Sequence, residues 1–258
     1  MKKMTREERF AAIMRLLVNR GEAQVSQLAE LLRVSQVTVR KDLTALERQG
    51  RLKRVHGRAM PAAPWAERGG SVAALEWAIG REASRLVSPG ESVCIAAGAP
   101  SYAMARHLAL RQGMGRLVVV TPSLPVAEAL VCVPDAQVVV LGGVLHRGSL
   151  STLGESAEAQ FADCAIDKLF LSVDGIDAGY GVTVADVNEA SLCRRMMRAA
   201  RQTVVLAPAT GFGRRGFVRV ARFAEVDMVV TDSGLDAGER ERVRSAGVAL
   251  MVAEGGFE

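Results

Sequence analysis

The sequence predicts an α/β protein in which a small N-terminal winged helix-turn-helix precedes a Rossmann-like, mostly parallel α/β domain. Two observations support this fold class. Three helical periodicities and a short basic hairpin pattern fill roughly the first sixty of the 258 residues. From Leu75 onward, apolar strand patterns alternate with helical patterns, and this alternation favours a parallel sheet covered by helices on both faces.

Three helices are predicted before residue 50. The first spans residues 6–19, the second begins at Ser26, and the third runs from Ser35 to Gln49. Ser26 and Ser35 are predicted N-caps, because a serine hydroxyl accepts a hydrogen bond from a free amide of the first turn. Only Arg33 and Val34 separate the second and third helices, and so short a turn is typical of a helix-turn-helix.

A basic hairpin is predicted directly after the third helix. Leu52 and Val55 anchor it, while the four Lys and Arg side chains of residues 51–58 stay in solvent, which is the composition of a wing. Residues 59–74 are rich in proline and glycine and are predicted to be a linker. We therefore predict a DNA-binding domain at residues 1–58, a linker at residues 59–74 and an α/β domain at residues 75–258.

Positive charge is concentrated at the N-terminus. Residues 1–60 hold 14 Lys and Arg against 6 Asp and Glu, whereas the rest of the chain has a net charge of −3. A basic head on a mildly acidic body indicates that only the head contacts a polyanion. Together with the helix-turn-helix pattern, this makes double-stranded DNA the expected partner.

The third helix has two distinct faces. Val39, Leu43 and Leu46 form an apolar stripe that should pack on the first two helices. Arg40 and Lys41 lie on the opposite side, where they reach guanine or phosphate in a major groove. The predicted DNA contacts on this helix and in the wing are Ser35, Gln36, Val37, Thr38, Arg40, Lys41, Thr44, Lys53, Arg54, His56 and Arg58.

Apolar segments in the larger domain are predicted as the strands Val93–Ile95, Leu117–Thr121, Val138–Leu141, Leu169–Val173, Val204–Ala207, Met228–Thr231 and Val248–Val252. Helices are predicted between most of them, at residues 102–110, 126–130, 189–200 and 239–246. Ligands of such sheets bind beyond the carboxyl ends of the strands. A ligand site is therefore expected among the turns at those ends.

The N-terminal motifs resemble those of the DeoR family of bacterial regulators. They are residues 34–43, which read VSQVTVRKDL, then Leu46-Glu47, Gly50 and the wing residues 56–59, which read HGRA. The resemblance implies a winged helix followed by a sensor and oligomerisation domain similar in fold to ribose-5-phosphate isomerase. It also implies a repressor of a carbohydrate or related operon, because family members mostly repress sugar and nucleoside operons and are released by phosphorylated sugars.

The larger domain departs from the family pattern at its phosphate-binding positions. A family Asp-x-Gly-Thr-Thr is AAGAP at residues 96–100, and a Thr-Asn-Ser is Thr121-Pro122-Ser123. A Ser-Lys-Phe-Gly is TGFG at residues 210–213, and the lysine of a Glu-Ala-x-x-Lys-Arg run is Cys193. These changes remove hydroxyl donors and cations that bind phosphate. The resemblance thus implies a pocket that binds sugar phosphates weakly or not at all.

Residues near the strand ends are the candidate effector site. They are Gly98, Ser101, Ser123, Gly142, Gly143, Asp174, Arg194, Gly213 and Arg214. Among them Ser101, Ser123, Arg194 and Arg214, together with Arg215, are candidates to compensate for the lost phosphate-binding groups. The expected partners are operator DNA, a possible sugar or sugar-phosphate effector, and further copies of the chain.

Two alternatives stay open. One is a sugar-phosphate isomerase-like enzyme, because Asp174 and Asp177 could do acid–base work. The other is a constitutive DNA-binding protein whose C-terminal domain only oligomerises. No catalytic residue is predicted, since His56, His107 and His146 are scattered and no nucleophile elbow or Walker loop occurs.

No metal or cofactor is predicted, because the widely spaced cysteines form no CxxC pair. No apolar run approaches the ~18 residues of a membrane span, and the N-terminus lacks a secretory pattern. A cytoplasmic location is therefore expected.

Overall fold

The computed structural model describes residues 4–20, 23–48, 51–55, 58–61, 70–131, 133 and 136–254. Its helices are α1 Arg6–Arg20, α2 Val25–Leu32, α3 Gln36–Arg48, α4 Gly70–Arg85, α5 Ala99–Leu108, α6 Leu124–Leu130, α7 Glu155–Ala159, α8 Val187–Ala199 and α9 Ala237–Ser245. Within these ranges no helix is both long enough and apolar enough to cross a membrane.

The strands are β1 Ala23–Gln24, β2 Leu52–Val55, β3 Arg58–Pro61, β4 Ser92–Ile95, β5 Val118–Thr121, β6 Gln137–Val140, β7 Val144–His146, β8 Ser151–Leu153, β9 Ile166–Ser172, β10 Gly175–Asp177, β11 Gly181–Val184, β12 Ala200–Leu206, β13 Val218–Ala221, β14 Met228–Asp232 and β15 Ala249–Ala253.

The N-terminal helices enclose a core of their own. Val39, Leu43 and Leu46 of α3 are fully buried against Ile13 of α1 and Leu28 of α2, which confirms the predicted apolar stripe. Strands β1, β3 and β2 form a small sheet beside them, so the described part of this region is a winged helix.

Helix boundaries differ from the prediction at the start of α2. Ser26 lies inside the helix, and the N-cap is Gln24, whose backbone N–H donates to the side-chain oxygen of Gln27 at 3.0 Å. The prediction failed because β1 pairs with β3 and thereby sets the point where the chain enters the helix. Ser35 caps α3 as predicted, since its hydroxyl accepts the N–H of Thr38 at 3.1 Å.

The larger domain is built on a seven-stranded sheet. Its strand order is β15-β14-β12-β9-β4-β5-β6, and every neighbouring pair is parallel. Each predicted strand corresponds to one of these, and an apolar core lies on each face of the sheet. Sequence patterns missed the β7–β8 hairpin and the antiparallel sheet β10-β11-β13, because these strands are short and interrupted by glycine or polar residues.

The predicted linker was too long at both ends. Residues 59–61 belong to β3, which pairs with both β1 and β2, and residues 70–74 belong to α4. The intervening residues 62–69 lie outside the described part of the chain. Helix α4 packs along α5, and both helices contact α1. The winged helix therefore touches two helices of the larger domain.

Candidate nucleic-acid interface and ligand cavity

The outer face of α3 presents the side chains expected to read DNA. Gln36, Arg40 and Lys41 are exposed, and Val37 exposes 60% of its surface although it is apolar. Thr44 is half-buried and its hydroxyl donates to the carbonyl of Arg40 at 2.8 Å. Four of the predicted contacts are thus free to face a ligand, whereas the hydroxyl of Thr44 is turned onto its own helix.

A groove runs between the start of α2, the outer face of α3 and the wing. Gln36, Arg40, Arg54 and Arg58 line it together with Ser26. The groove brings guanidinium groups from the helix and from the wing together, as binding to a phosphate backbone requires. His56 lies outside the described residues, as does the side chain of Lys53.

Two of the predicted DNA contacts serve the helix start. The Ser35 hydroxyl lies 2.9 Å from the Thr38 hydroxyl and caps the helix through the Thr38 amide. In this structure the two residues cap the N-terminus of α3. Free backbone amides and the helix dipole at that end favour binding of a phosphate group.

Glu47 is a site residue that sequence reasoning missed. Its carboxylate accepts the backbone N–H of Arg54 at 3.0 Å and the Arg54 Nε–H at 2.7 Å. The hydrogen bond from the Arg54 side chain is the largest cause that lowers the pKa of Glu47. This pair fastens the wing to α3, so Arg54 acts first as a positioning residue of the groove.

A second unpredicted ion pair lies beneath α3. Asp42 is almost fully buried and accepts two hydrogen bonds from Arg9 of α1, at 2.7 and 3.1 Å. The pair connects α3 to α1, the helix that contacts the larger domain. The sequence does not predict this ion pair, because a single Asp in an amphipathic helix is expected to lie on the exposed face.

Asp42→Ala should destabilise the winged helix by ~3–5 kcal/mol, because Arg9 is left in a poorly hydrated place without its counter-charge. Urea unfolding of the full chain, followed by far-ultraviolet circular dichroism, measures the loss. The double variant Arg9→Met/Asp42→Leu removes both charges and should recover part of it. A single variant as stable as the wild type would show that the pair contributes nothing.

The larger domain holds a cavity of about 360 Å³ at the carboxyl ends of its central strands. Its lining comes from α4, from the β4–α5 and β11–α8 turns, from the β7–β8 hairpin and from the ends of β9 and β12. The lining residues are Glu76, Ala97, Gly98, Ala99, Pro100, His146, Gly148, Ser149, Ser172, Val173, Asp174, Val184, Ala185, Asp186, Glu189, Pro208, Thr210, Gly211 and Arg214.

The predicted effector residues divide between this lining and its surroundings. Gly98, Asp174 and Arg214 line the cavity. Ser101 is fully buried behind the wall, where its hydroxyl lies 2.7 Å from that of Ser172. Ser123 is also fully buried, and its hydroxyl caps α6 by accepting the Val126 N–H at 3.4 Å. Both serines therefore support the fold around the cavity.

The other predicted residues lie away from the lining. The backbone N–H of Gly142 donates a hydrogen bond to the side-chain oxygen of Gln160 at 3.2 Å. Gly143 has a φ of +152° and packs so closely on the Leu153 carbonyl that a Cβ would lie 2.7 Å from it. Gly213 also stands outside the lining, in the turn before Arg214.

The arginines expected to replace the lost phosphate ligands are mostly engaged elsewhere. Arg194 donates to the backbone carbonyl of Arg219. Arg215 pairs with Asp177 at 2.8 Å and stacks on the ring of Tyr180 at 4.6 Å. Only Arg214 of this group reaches the cavity. Cys193, which stands where the family motif has lysine, is buried in the core, and burial raises its pKa well above the usual value.

Carboxylates dominate the wall formed by the β11–α8 turn. Asp174 accepts the Ala185 N–H at 2.8 Å, and Asp186 caps α8 by accepting the amides of Asn188 and Glu189. Burial, and next the nearby charges of Asp174 and Asp186, raise the pKa of Glu189 to about 7. Among the described residues that line the cavity there is no lysine, and Arg214 is the one permanently cationic side chain.

The Glu189 carboxyl should make stability depend on pH. Its pKa rises from 4.5 to about 7 on folding, so between these values the folded protein holds a proton that the unfolded chain has released. The free energy of unfolding should therefore fall as the pH rises through this window, by roughly 1–3 kcal/mol, and then level off. Glu189→Gln should remove that slope. Urea unfolding at several pH values tests this, and an unchanged slope in the variant would contradict it.

No group of three or more His, Cys, Asp or Glu side chains suited to a metal ion occurs among the residues that the structure describes.

Comparisons with known proteins cover nearly the whole chain. The DeoR-like helix-turn-helix domain matches residues 9–62, and the DeoR C-terminal sensor domain matches residues 76–233. The transcriptional regulator GlpR of Haloferax volcanii is 32% identical over 252 residues, which are 95% of this chain and 96% of that protein. The glycerol-3-phosphate regulon repressor of Escherichia coli is 27% identical over 235 residues, 89% of this chain and 92% of that protein.

The match to solved structures is more remote. Ribose 5-phosphate isomerase A from Neisseria gonorrhoeae aligns with a TM-score of 0.39 and 14% identity, over 54% of this chain and 53% of that chain.

Proposed function

The chain belongs to the DeoR family of DNA-binding transcriptional regulators, and we propose that it represses a carbohydrate operon by binding operator DNA through α3 and the wing. One observation carries the assignment of the reading face. Arg40 and Lys41 stand exposed on α3, while the opposite stripe of that helix is fully buried. The exposed side chains of α3 are thus not part of the core of the winged helix and are available to contact DNA.

Each part of the interface has a separate role in this proposal. Arg40 and Lys41 contact base edges in the major groove, and Val37 packs on a thymine methyl group. The N-terminus of α3, capped by Ser35, approaches a phosphate. Arg58 and the wing lie along the backbone and add affinity that does not depend on sequence.

The strand-end cavity is the proposed effector site, and its chemistry favours a ligand without phosphate. Asp174 and Asp186 offer hydrogen-bond acceptors to hydroxyl or ammonium groups, whereas a phosphate dianion would meet their like charge. Ala99 and Pro100 bring no side-chain donor to the start of α5, and Pro100 also lacks an amide N–H. We therefore propose a neutral or positively charged polyhydroxy compound as the effector.

Two helices of the cavity wall connect the effector site to the DNA-binding domain. Helix α4 contributes Glu76 to the lining, α5 contributes Ala99 and Pro100, and both helices contact α1. A ligand that shifts these helices relative to each other changes the support under α1. In this proposal, repression is released through that shift, and the chain acts as a homo-oligomer on repeated half-sites.

Selection of bound fragments from genomic DNA by the full-length protein tests the proposal. A single enriched motif with repeated half-sites is expected, and its complex should weaken when an unphosphorylated polyol or amino sugar is added. Enrichment without any response to a broad panel of sugars, polyols and their phosphates would favour a constitutive DNA-binding protein. Failure to enrich any motif would overturn the assignment of the operator-binding role.

A further inference from the structure

Strand β6 forms one edge of the seven-stranded sheet and exposes apolar side chains there. It is the terminal strand in the sheet order, and residues 137–141 read QVVVL without a charge. Val139 exposes 36% of its surface and Val140 exposes 43%. Soluble proteins protect such edges with charged residues, proline or a covering element, because an open strand pairs readily with another. Within the residues that the structure describes, no strand pairs with the outer side of β6.

The backbone of β6 shows which groups face the open edge. The Gln137 N–H donates to the Leu117 carbonyl at 2.9 Å, and the Leu141 N–H donates to the Thr121 carbonyl at 3.0 Å. Because successive residues of a strand direct these groups to alternate sides, Val138 and Val140 direct theirs outward. The open edge therefore offers two N–H and two C=O groups to a partner strand.

Exposed apolar side chains continue from this edge onto its neighbours in the chain. Val144 exposes 77% of its surface and Leu145 exposes 46% in β7, which follows β6 directly. Helix α6, which packs beside β6, exposes 42% of Leu124, and Val131 at its end exposes 77%. An apolar surface around an unpaired strand fits a protein interface better than it fits solvent.

A second copy of this chain is the occupant that fits the edge. Because β6 carries no charge, two copies related by a two-fold axis place no like charges against each other. With the axis at Val139, Val138 of one copy lies opposite Val140 of the other. Both residues direct their backbone groups outward, so the two pairs exchange four hydrogen bonds. Operators read by winged helices also call for two-fold partners.

We propose that β6 pairs antiparallel with β6 of a second copy about an axis at Val139, which joins two central sheets into one. The inference rests on the homo-oligomer of the proposed function and names its interface.

Sedimentation velocity of full-length Val140→Lys tests the interface. The wild type should sediment as a dimer or a larger even-numbered oligomer, and the variant should raise the dimer dissociation constant by roughly 100-fold or more, because the axis places two lysines close together. Leu110→Lys, at a residue 42% exposed in the turn that follows α5, is the matched control and should leave the dimer intact. Circular dichroism confirms that each variant is folded.

A cysteine at the axis provides a gain-of-signal test. In an antiparallel pair, Val139 faces its own copy across a Cα separation of ~4.5 Å, which suits a disulfide. In a Cys132→Ser/Cys164→Ser background, Val139→Cys should form a covalent dimer on mild oxidation, whereas Leu110→Cys should not. A wild-type monomer would refute both the oligomer and this interface. A dimer that survives Val140→Lys and fails to cross-link at position 139 would place the interface elsewhere and overturn this inference alone.

Discussion

Replacing Arg40 and Lys41 together with alanine is expected to remove most of the preference for the operator while the protein stays folded. Both side chains are exposed on α3, and neither supports the buried stripe of Val39, Leu43 and Leu46. Each base-reading contact is worth ~1–3 kcal/mol, so the double variant should lose roughly 30-fold to 10⁴-fold in specific affinity. Fluorescence anisotropy on the selected operator and on a scrambled duplex measures the two affinities separately.

A matched control separates base reading from simple charge loss. The double variant Arg201→Ala/Arg244→Ala removes the same charge from exposed positions of the larger domain and should bind the operator like the wild type. Equal losses in both double variants would indicate a general electrostatic effect. Unchanged operator binding by the Arg40 and Lys41 variant would show that another face of the protein reads DNA.

Rebuilding the family's phosphate ligands is expected to raise the affinity of the cavity for sugar phosphates. The variant Ala99→Thr/Pro100→Thr/Gly211→Lys places two hydroxyls and one ammonium group on lining positions. A Cβ on Gly211 would approach no atom closer than 3.8 Å, so the first carbon of a side chain meets no clash there. Hydrogen bonds to a charged group are worth ~1.5–3 kcal/mol each, so two or three of them should raise affinity by roughly 10² to 10⁶.

Calorimetry with pentose and hexose phosphates, and with the same sugars unphosphorylated, measures this gain. A companion variant with Gly211→Met in place of lysine keeps the bulk without the charge and should gain much less. If the rebuilt protein folds and still ignores phosphates, these loops are aligned wrongly with the family. If the wild type already binds a sugar phosphate at micromolar concentration, and Arg214→Ala abolishes it, the phosphate site was rebuilt by other residues.

Much of the winged helix was predictable because its signals are local. The short turn at Arg33 and Val34, the Ser35 cap and the α3 stripe depend on residues within a few positions of one another. The parallel sheet was predictable for a similar reason, since buried strands are continuous apolar runs separated by helical periodicity. Local signals also misled, because Ser26 has the chemistry of an N-cap but lies inside α2.

The sequence by itself determined the two-part architecture, the family and which face of α3 is buried and which is exposed. Only the tertiary structure decided which side chains meet in the cavity. His146, Asp186 and Glu189 reach it from a hairpin and a helix start far apart in the chain, whereas Ser101 and Ser123 turn inward and cap or brace the wall. Periodicity indicates which residues of one helix or strand are buried. The direction of a side chain at a strand end depends instead on how the following helix or hairpin packs on the sheet, and that packing involves segments distant in the sequence.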